Sequence, residues 1–268
     1  MAARARSGAA RRALTTRTGR AGAHRGPSGT VALERALSKL GMASRSEARA
    51  LILDGRVTVD GRAIRDPLRA VVPERVRLAI DGETRTRAAR RTIVLHKPRG
   101  VVTTRRDPEG RPTAYDLVRD AGRELQAVGR LDLASSGLLL FTTDTRLAAA
   151  LTDPGNAVPR VYVVTVRGAL DDDGLAAIRR GVTIDGVLAI PRDVAVRKRS
   201  SRETHVIVTL DEGRNREVRR LFATAGHEVT RLLRVSFGPV ALRTLQPGRW
   251  RDLTPDESQA LAEAAPTR

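Results

Sequence analysis

The chain has 268 residues, 41% of them hydrophobic, and 49 Lys+Arg against 30 Asp+Glu give it a net charge of +19. Such a field attracts polyanions, and no stretch approaches the roughly 18 apolar residues of a bilayer span, so no membrane partner is expected. The absence of cysteine removes disulfide frameworks, thiolate nucleophiles and cysteine-based metal sites; with no apolar leader at the start, the expected compartment is the cytoplasm.

Residues 1–29 hold seven arginines and no acid among Ala, Gly, Ser and Thr, a composition expected to remain a disordered basic tail. Residues 30–80 read as a small module. Leu33, Leu37 and Leu40 form a helical stripe closed by Gly41. Ser44 to Glu47 is a capping box that opens a second helix, with Ala48, Leu51 and Ile52 facing inward and Gly55 as its stop. Val57 and Val59 alternate in a strand that turns at Asp60-Gly61. Arg35 and Lys39 share one helix face, as do Arg45 and Arg49, because residues four apart are neighbours on a helix. The run L-x-x-x-G-M-A-S-R-S-E-A-R-x-L-I-x-x-G-R-V-T-V-D-G resembles the S4 RNA-binding domain. That resemblance implies that Arg35, Lys39, Arg45 and Arg49 grip RNA phosphates.

Residues 81–91 are polar, basic and without periodicity, and are expected to be a linker. From 92 to 253 β-branched runs at Ile93–Leu95, Val161–Val166, Val206–Leu210 and Val229–Val235 alternate with helical patterns at Leu175–Ile178 and Val218–Ala225. Regular βαβ alternation is missing, so the expected class is α+β, with a mixed, mainly antiparallel sheet flanked by helices. Residues 254–268 are expected to form a short helical tail that frays.

The most informative stretch is Gly129-Arg130-Leu131-Asp132-Leu133-Ala134-Ser135-Ser136-Gly137-Leu138-Leu139-Leu140. It sets one carboxylate at the edge of a strand with no room for charge. A carboxylate held against a core has to be paired, protonated or used. The run resembles the G-R-L-D-x-x-[ST]-x-G-L-L-L signature of the RsuA/RluB family of RNA pseudouridine synthases, which implies that Asp132 is a catalytic nucleophile. Residues 211–222 resemble that family's E-G-[RK]-N-R-[QE]-V-[RK]-R-[LM]-F. This implies that Arg219 pairs with Asp132 and that Val218 touches the base. Arg160 to Val164 resembles [KR]-x-Y-x-V, which implies that Tyr162 stacks on a flipped base. Leu95 to Thr103 is similar to the opening N-K-P-x-G motif, with His96 in place of Asn. Ala134 and Thr145 also depart from the usual pattern.

The family's reaction detaches a uracil from its ribose, turns it and rejoins it through carbon. Nothing is oxidised and no group is imported, so no cofactor is expected. The four histidines, His24, His96, His205 and His227, show no metal-ligand spacing, and no metal is expected. A glycosidase would need a second acid; Asp144 lies beyond the strand, and a more distant acid stays open. Lys97, Arg130, Arg160, Arg214 and Arg216 are expected RNA contacts, since basic side chains meet phosphate and guanidinium groups also stack on bases; for Arg214, Arg216 and Arg220 a solvated helix face is an equal alternative. The leading reading is a monomeric enzyme acting on ribosomal RNA, of the large subunit by the form of the E-G-R-N-R-E-V-R-R run. A small-subunit enzyme, a catalytically retired assembly factor and a DNA-binding regulator are the alternatives. The joint presence of Asp132, Tyr162 and Arg219 speaks against the second, and the hairpin and the large following domain against the third.

Overall fold

The computed structural model describes residues 29–73, 75–84 and 90–265. The basic tail expected over 1–29 lies almost wholly outside the described residues. In the N-terminal module β1 (Val31–Ala32) leads into α1 (Leu33–Lys39) and α2 (Arg45–Leu53). The Ser44 side chain accepts from the Glu47 N–H and the Glu47 carboxylate accepts from the Ser44 N–H, the reciprocal cap expected there. Then come β2 (Val57–Val59), β3 (Arg62–Ile64), β4 (Ala70–Val71), β5 (Leu78–Ile80) and β6 (Glu83–Thr84). Asp60 and Gly61 both take positive φ, the left-handed pair of a tight hairpin between β2 and β3. Leu33, Leu37, Ala48, Ile52 and Val57 are wholly buried in a core separate from the rest of the chain.

The sheet order β3-β2-β5-β6 moves the expected linker. Asp81-Gly82 is a turn, and Glu83–Thr84 pairs with Ala79–Ile80, so the module extends to residue 84. At the other end Arg91 already belongs to the second domain, ion-paired with Asp252 at 2.6 Å and lying over the Trp250 ring.

The second domain runs β7 (Thr92–Lys97), β8 (Gln126–Ala127), β9 (Ser136–Thr142), α3 (Thr145–Thr152), β10 (Arg160–Arg167) and α4 (Asp172–Arg180). It continues through β11 (Val182–Ile184), β12 (Val187–Ala189), β13 (Asp193–Arg199), β14 (Glu203–Leu210) and α5 (Glu217–Thr224). It ends with β15 (Val229–Phe237), β16 (Val240–Ala241), β17 (Trp250–Asp252) and α6 (Pro255–Ala264). The main sheet follows the order β13-β14-β10-β15-β9-β7-β17 and is antiparallel except at β9–β15. It is the mixed, mainly antiparallel α+β arrangement that the sequence pattern implied.

Leu138 to Phe141 is apolar without alternation because both faces of β9 are covered. Leu139 and Phe141 join the cluster that holds Ile178, Leu221 and Phe222 from α4 and α5. Leu138 and Leu140 join the other, with Leu151 of α3 and Leu261 of α6. The C-terminal segment therefore does not fray from residue 254. Thr254 caps α6, Glu257 pairs with Arg251 at 2.6 Å, and Leu261 and Ala265 are wholly buried. Burying a leucine side chain contributes about 1.5–3 kcal/mol, more than short-helix propensity supplies.

The parallel β9–β15 contact depends on Gly137. It stands opposite Arg234 at φ +112°, where a Cβ would overlap the Arg234 main chain.

Candidate active site

Asp132 sits in the loop between β8 and β9, two residues after an exposed Arg130, and its backbone carbonyl accepts from the Ser135 N–H at 3.0 Å. The adjoining Leu133 carbonyl accepts from the Gly100 N–H at 2.8 Å, so the turn is tied to the loop after β7. The Asp132 side chain lines an open cleft of about 190 Å³. Tyr162 from β10 and Val218 from α5 line the same cleft, 7% and 5% exposed, so each presents only an edge to it. Three motifs far apart in sequence thus converge on one small space.

Arg219 is placed differently from the expected ion pair. Its guanidinium donates to Val229 O at 2.8 Å and Ala134 O at 3.3 Å, and no ion pair joins it to Asp132. It holds the Asp132 turn through a carbonyl two residues along, and its charge reaches the carboxylate without contact. Burial lowers the Arg219 pKa, the nearby Arg216 lowers it further, and Asp132 opposes both.

Two expected RNA contacts are corrected. Lys97 is 0% exposed, and its ammonium donates to Pro98 O at 2.9 Å and Val101 O at 2.7 Å. Burial pushes its pKa down to about 8 against the pull of Asp132, and a cation so enclosed has no route to a phosphate. Arg160 is 4% exposed and donates to Val158 O, Leu151 O and Asp211 O at 3.0, 2.8 and 2.7 Å. It ties the last turn of α3 to the segments before β10 and after β14 at the cleft wall and has few donors left for a ligand.

The remaining arginines keep an accessible position. Arg130, Arg214 and Arg216 line the cleft, with Arg130 and Arg216 exposed. Arg214 is drawn to Glu212 at 2.6 Å. Arg216 takes φ +52° just before α5, a conformation uncommon for a side-chain-bearing residue, which turns the chain sharply at the cleft mouth. In the N-terminal module Arg35, Arg45 and Arg49 are exposed and Lys39 is half-buried; Arg49 is partly engaged by Glu34 at 3.2 Å. Asp144 proves to be a helix cap, accepting from the Arg146 and Leu147 N–H groups.

Sequence reasoning missed Arg234 and Glu217. Arg234 is 3% exposed, donates to Leu138 O at 2.7 Å and lies over the Phe237 ring, as Arg160 does from its own side. The signal was its register: Leu232 and Arg234 alternate on the buried face of β15, where charge is rare. Glu217 is 3% exposed at the start of α5 and lines the cleft. Among the described residues no group of three or more His, Asp or Glu is placed to hold a metal ion, and no helix is long and apolar enough to cross a membrane.

A basic module with exposed helix faces, joined to a sheet domain whose cleft holds a carboxylate, a tyrosine edge and an arginine rim, defines an RNA-modifying enzyme of modular build. Comparison with known proteins names the class more closely. Residues 91–224 match the RNA pseudouridylate synthase family and residues 33–74 the S4 domain. The ribosomal large subunit pseudouridine synthase B of Yersinia pestis is 41% identical over 229 residues, covering 82% of this chain and 72% of that protein. A protein of Aquifex aeolicus (strain VF5) described as an uncharacterized RNA pseudouridine synthase is 35% identical over 235 residues, covering 87% of this chain and 94% of its own. A crystal structure of a pseudouridylate synthase superposes with a TM-score of 0.60 at 27% identity, covering 86% of this chain and 99% of that one. The chain belongs to the RNA pseudouridine synthase family, as an enzyme that carries an S4 domain ahead of its catalytic domain.

Proposed function

We propose that this enzyme converts a uridine of large-subunit ribosomal RNA to pseudouridine, with Asp132 as the nucleophile. The observation that carries this reading is the convergence of Asp132, Tyr162 and Val218 on one cleft. The target base leaves its stack and enters between the Tyr162 edge and Val218. Asp132 attacks while the N1–C1′ bond breaks. After the base turns, C5 bonds C1′ as the bond from C1′ to the Asp132 carboxylate oxygen breaks and frees the carboxylate; the C5 proton departs to solvent and N1 gains one, so the product is an isomer and no cofactor takes part. Arg219 and Lys97 supply positive potential at the carboxylate without lining the cleft a base would enter. Arg35, Lys39, Arg45 and Arg49, with Arg130, Arg214 and Arg216 at the rim, hold phosphates and position the RNA. The enzyme acts as a cytoplasmic monomer.

The test is release of tritium from [5-³H]uridine-labelled transcripts of each ribosomal RNA, with the product mapped to one nucleotide. Release from the large-subunit transcript is the expected result. Release only from the small-subunit transcript reassigns the substrate, and none from either identifies a binding protein.

A further inference from the structure

Among the described residues, three that line the cleft each carry a buried side-chain atom without a hydrogen-bond partner: Ser135 Oγ, Glu217 Oε1 and Arg234 Nη2. Glu217 differs from the other two in being a carboxyl. Its Oε2 accepts from the Arg214 backbone N–H at 2.9 Å, and its Oε1 meets no donor. No cation closes on it. The Arg214 side chain is drawn to Glu212, and the Arg160 donors are committed to three carbonyls. Burial raises the Glu217 pKa, opposed by the Arg214 N–H. A buried carboxylate oxygen without a donor is costly, and a ligand N–H entering the cleft removes that cost.

The reaction itself specifies the N–H. In the uracil ring N1 and C5 both adjoin C6, and C2 and C4 both adjoin N3. Exchanging N1 for C5 at the ribose is therefore a half-turn about the line through C6 and N3. The two carbonyl oxygens trade places during that turn, while N3–H stays on the axis. An acceptor for N3–H keeps its partner from start to finish; a donor for either carbonyl does not. N3–H is also the hydrogen that uracil carries and cytosine lacks at that position.

We propose that Glu217 Oε1 accepts the N3–H of the flipped uracil, holds the ring on its turning axis and rejects cytosine. The proposal rests on the reading that uracil enters the Asp132 cleft. It makes Glu217 a specificity-determining residue that forms no covalent bond and passes no proton.

The experiment compares wild type, Glu217→Met and Glu217→Gln on the mapped ribosomal RNA stem carrying either [5-³H]uridine or [5-³H]3-methyluridine at the target. Where the methylated RNA turns over too slowly, its Ki against the uridine RNA replaces kcat/KM. Glu217→Met is expected to lower kcat/KM for uridine about tenfold or more, the effect of one hydrogen bond to a charged acceptor. The preference for uridine over 3-methyluridine falls by the same factor. Glu217→Gln keeps a carbonyl acceptor and regains part of the loss. It also drops the share of the acid-side decline that protonation of Glu217 contributes. An unchanged preference in Glu217→Met overturns the proposal even if both rates fall, because a residue that merely starts α5 affects both substrates alike. Failure of wild type to release tritium from uridine overturns the underlying reading as well, and the two failures are thereby distinguished.

Discussion

In the S4 domain Arg35, Arg45 and Arg49 stand exposed over a core of Leu33, Leu37 and Ile52, whereas in the catalytic domain Arg160, Arg234 and Lys97 are themselves part of the interior. The first set keeps its hydration and offers guanidinium groups to solvent, with Arg49 partly drawn to Glu34. The second has traded hydration for main-chain carbonyls: Val158, Asp211 and Leu151 around Arg160, Leu138 beside Arg234, and Pro98 and Val101 around Lys97. In this chain, then, basic charge has two physical uses, and position in the fold decides which. Under the proposed function, exposed arginine confers affinity that salt can erode. Enclosed arginine and lysine fix loops and set a potential that salt screens poorly.

The largest effect sits where the enclosed charge is directed. Asp132→Asn is expected to reduce tritium release by more than the ~100-fold typical of losing a simple acid or base, with RNA affinity nearly unchanged. Near-normal turnover would remove the nucleophile assignment and, with it, the purpose given to the surrounding cations.

Next in size is the structural use of Arg160. Arg160→Met leaves three carbonyls without their donor and is expected to cost about 3–5 kcal/mol, read as a melting midpoint lower by roughly 10 °C. If Arg160 instead gripped RNA, the midpoint would hold and the salt dependence of binding would flatten. That outcome would erase the contrast between the two domains.

Lys97 allows a titration. Its native pKa of about 8 lies below the ordinary 10.5, so above pH 8 the folded protein sheds a proton that the unfolded chain keeps. Stability from this group therefore rises with pH between those values, by at most about 3 kcal/mol. Chemical denaturation from pH 7.5 to 9.5 should show the gap between wild type and Lys97→Met moving in favour of wild type. A constant gap would mean that the ammonium is not desolvated.

The smallest change belongs to the exposed set. Arg35→Ala and Arg45→Ala are each expected to leave the melting midpoint in place and to reduce the slope of log K against log salt by about 0.7–0.9. A midpoint that drops in either variant would show that the S4 helix face is packed and not free to meet RNA.

What the sequence disclosed follows the same division. The capping box at Ser44, the Asp60-Gly61 turn and the doubly covered strand at Leu138 to Phe141 are local patterns, and the structure places them as read. So are the three motifs of the cleft, whose spacing survives in one chain however the chain folds. Lys97 and Arg160 were misread because an arginine or lysine in a strand looks the same whether its head reaches water or main-chain carbonyls. Burial is a property of strands 50 or more residues away, such as the Asp211 end of β14 that meets Arg160. The hairpin β11–β12 passed unread, although Asp185-Gly186, both at positive φ, carried a turn signal between two short apolar runs. The packing of α6 was invisible for a different reason. Leu261 and Ala265 are too few to make a stripe, and the core they join is built elsewhere in the chain, by Leu138, Leu140, Leu151, Phe237 and Val240 among others.

The contact at Gly137 bears on how such an enzyme could be redirected. Because β9 meets β15 main chain to main chain, the distance from the reactive turn to the rest of the cleft is set by backbone geometry and not by the length of any side chain. The rim arginines Arg130 and Arg216 contribute nothing to that distance. Under the proposed function, in which they meet RNA, their exchange is expected to change the RNA loop addressed while the carboxylate stays in register, so that target choice and chemistry are separately adjustable.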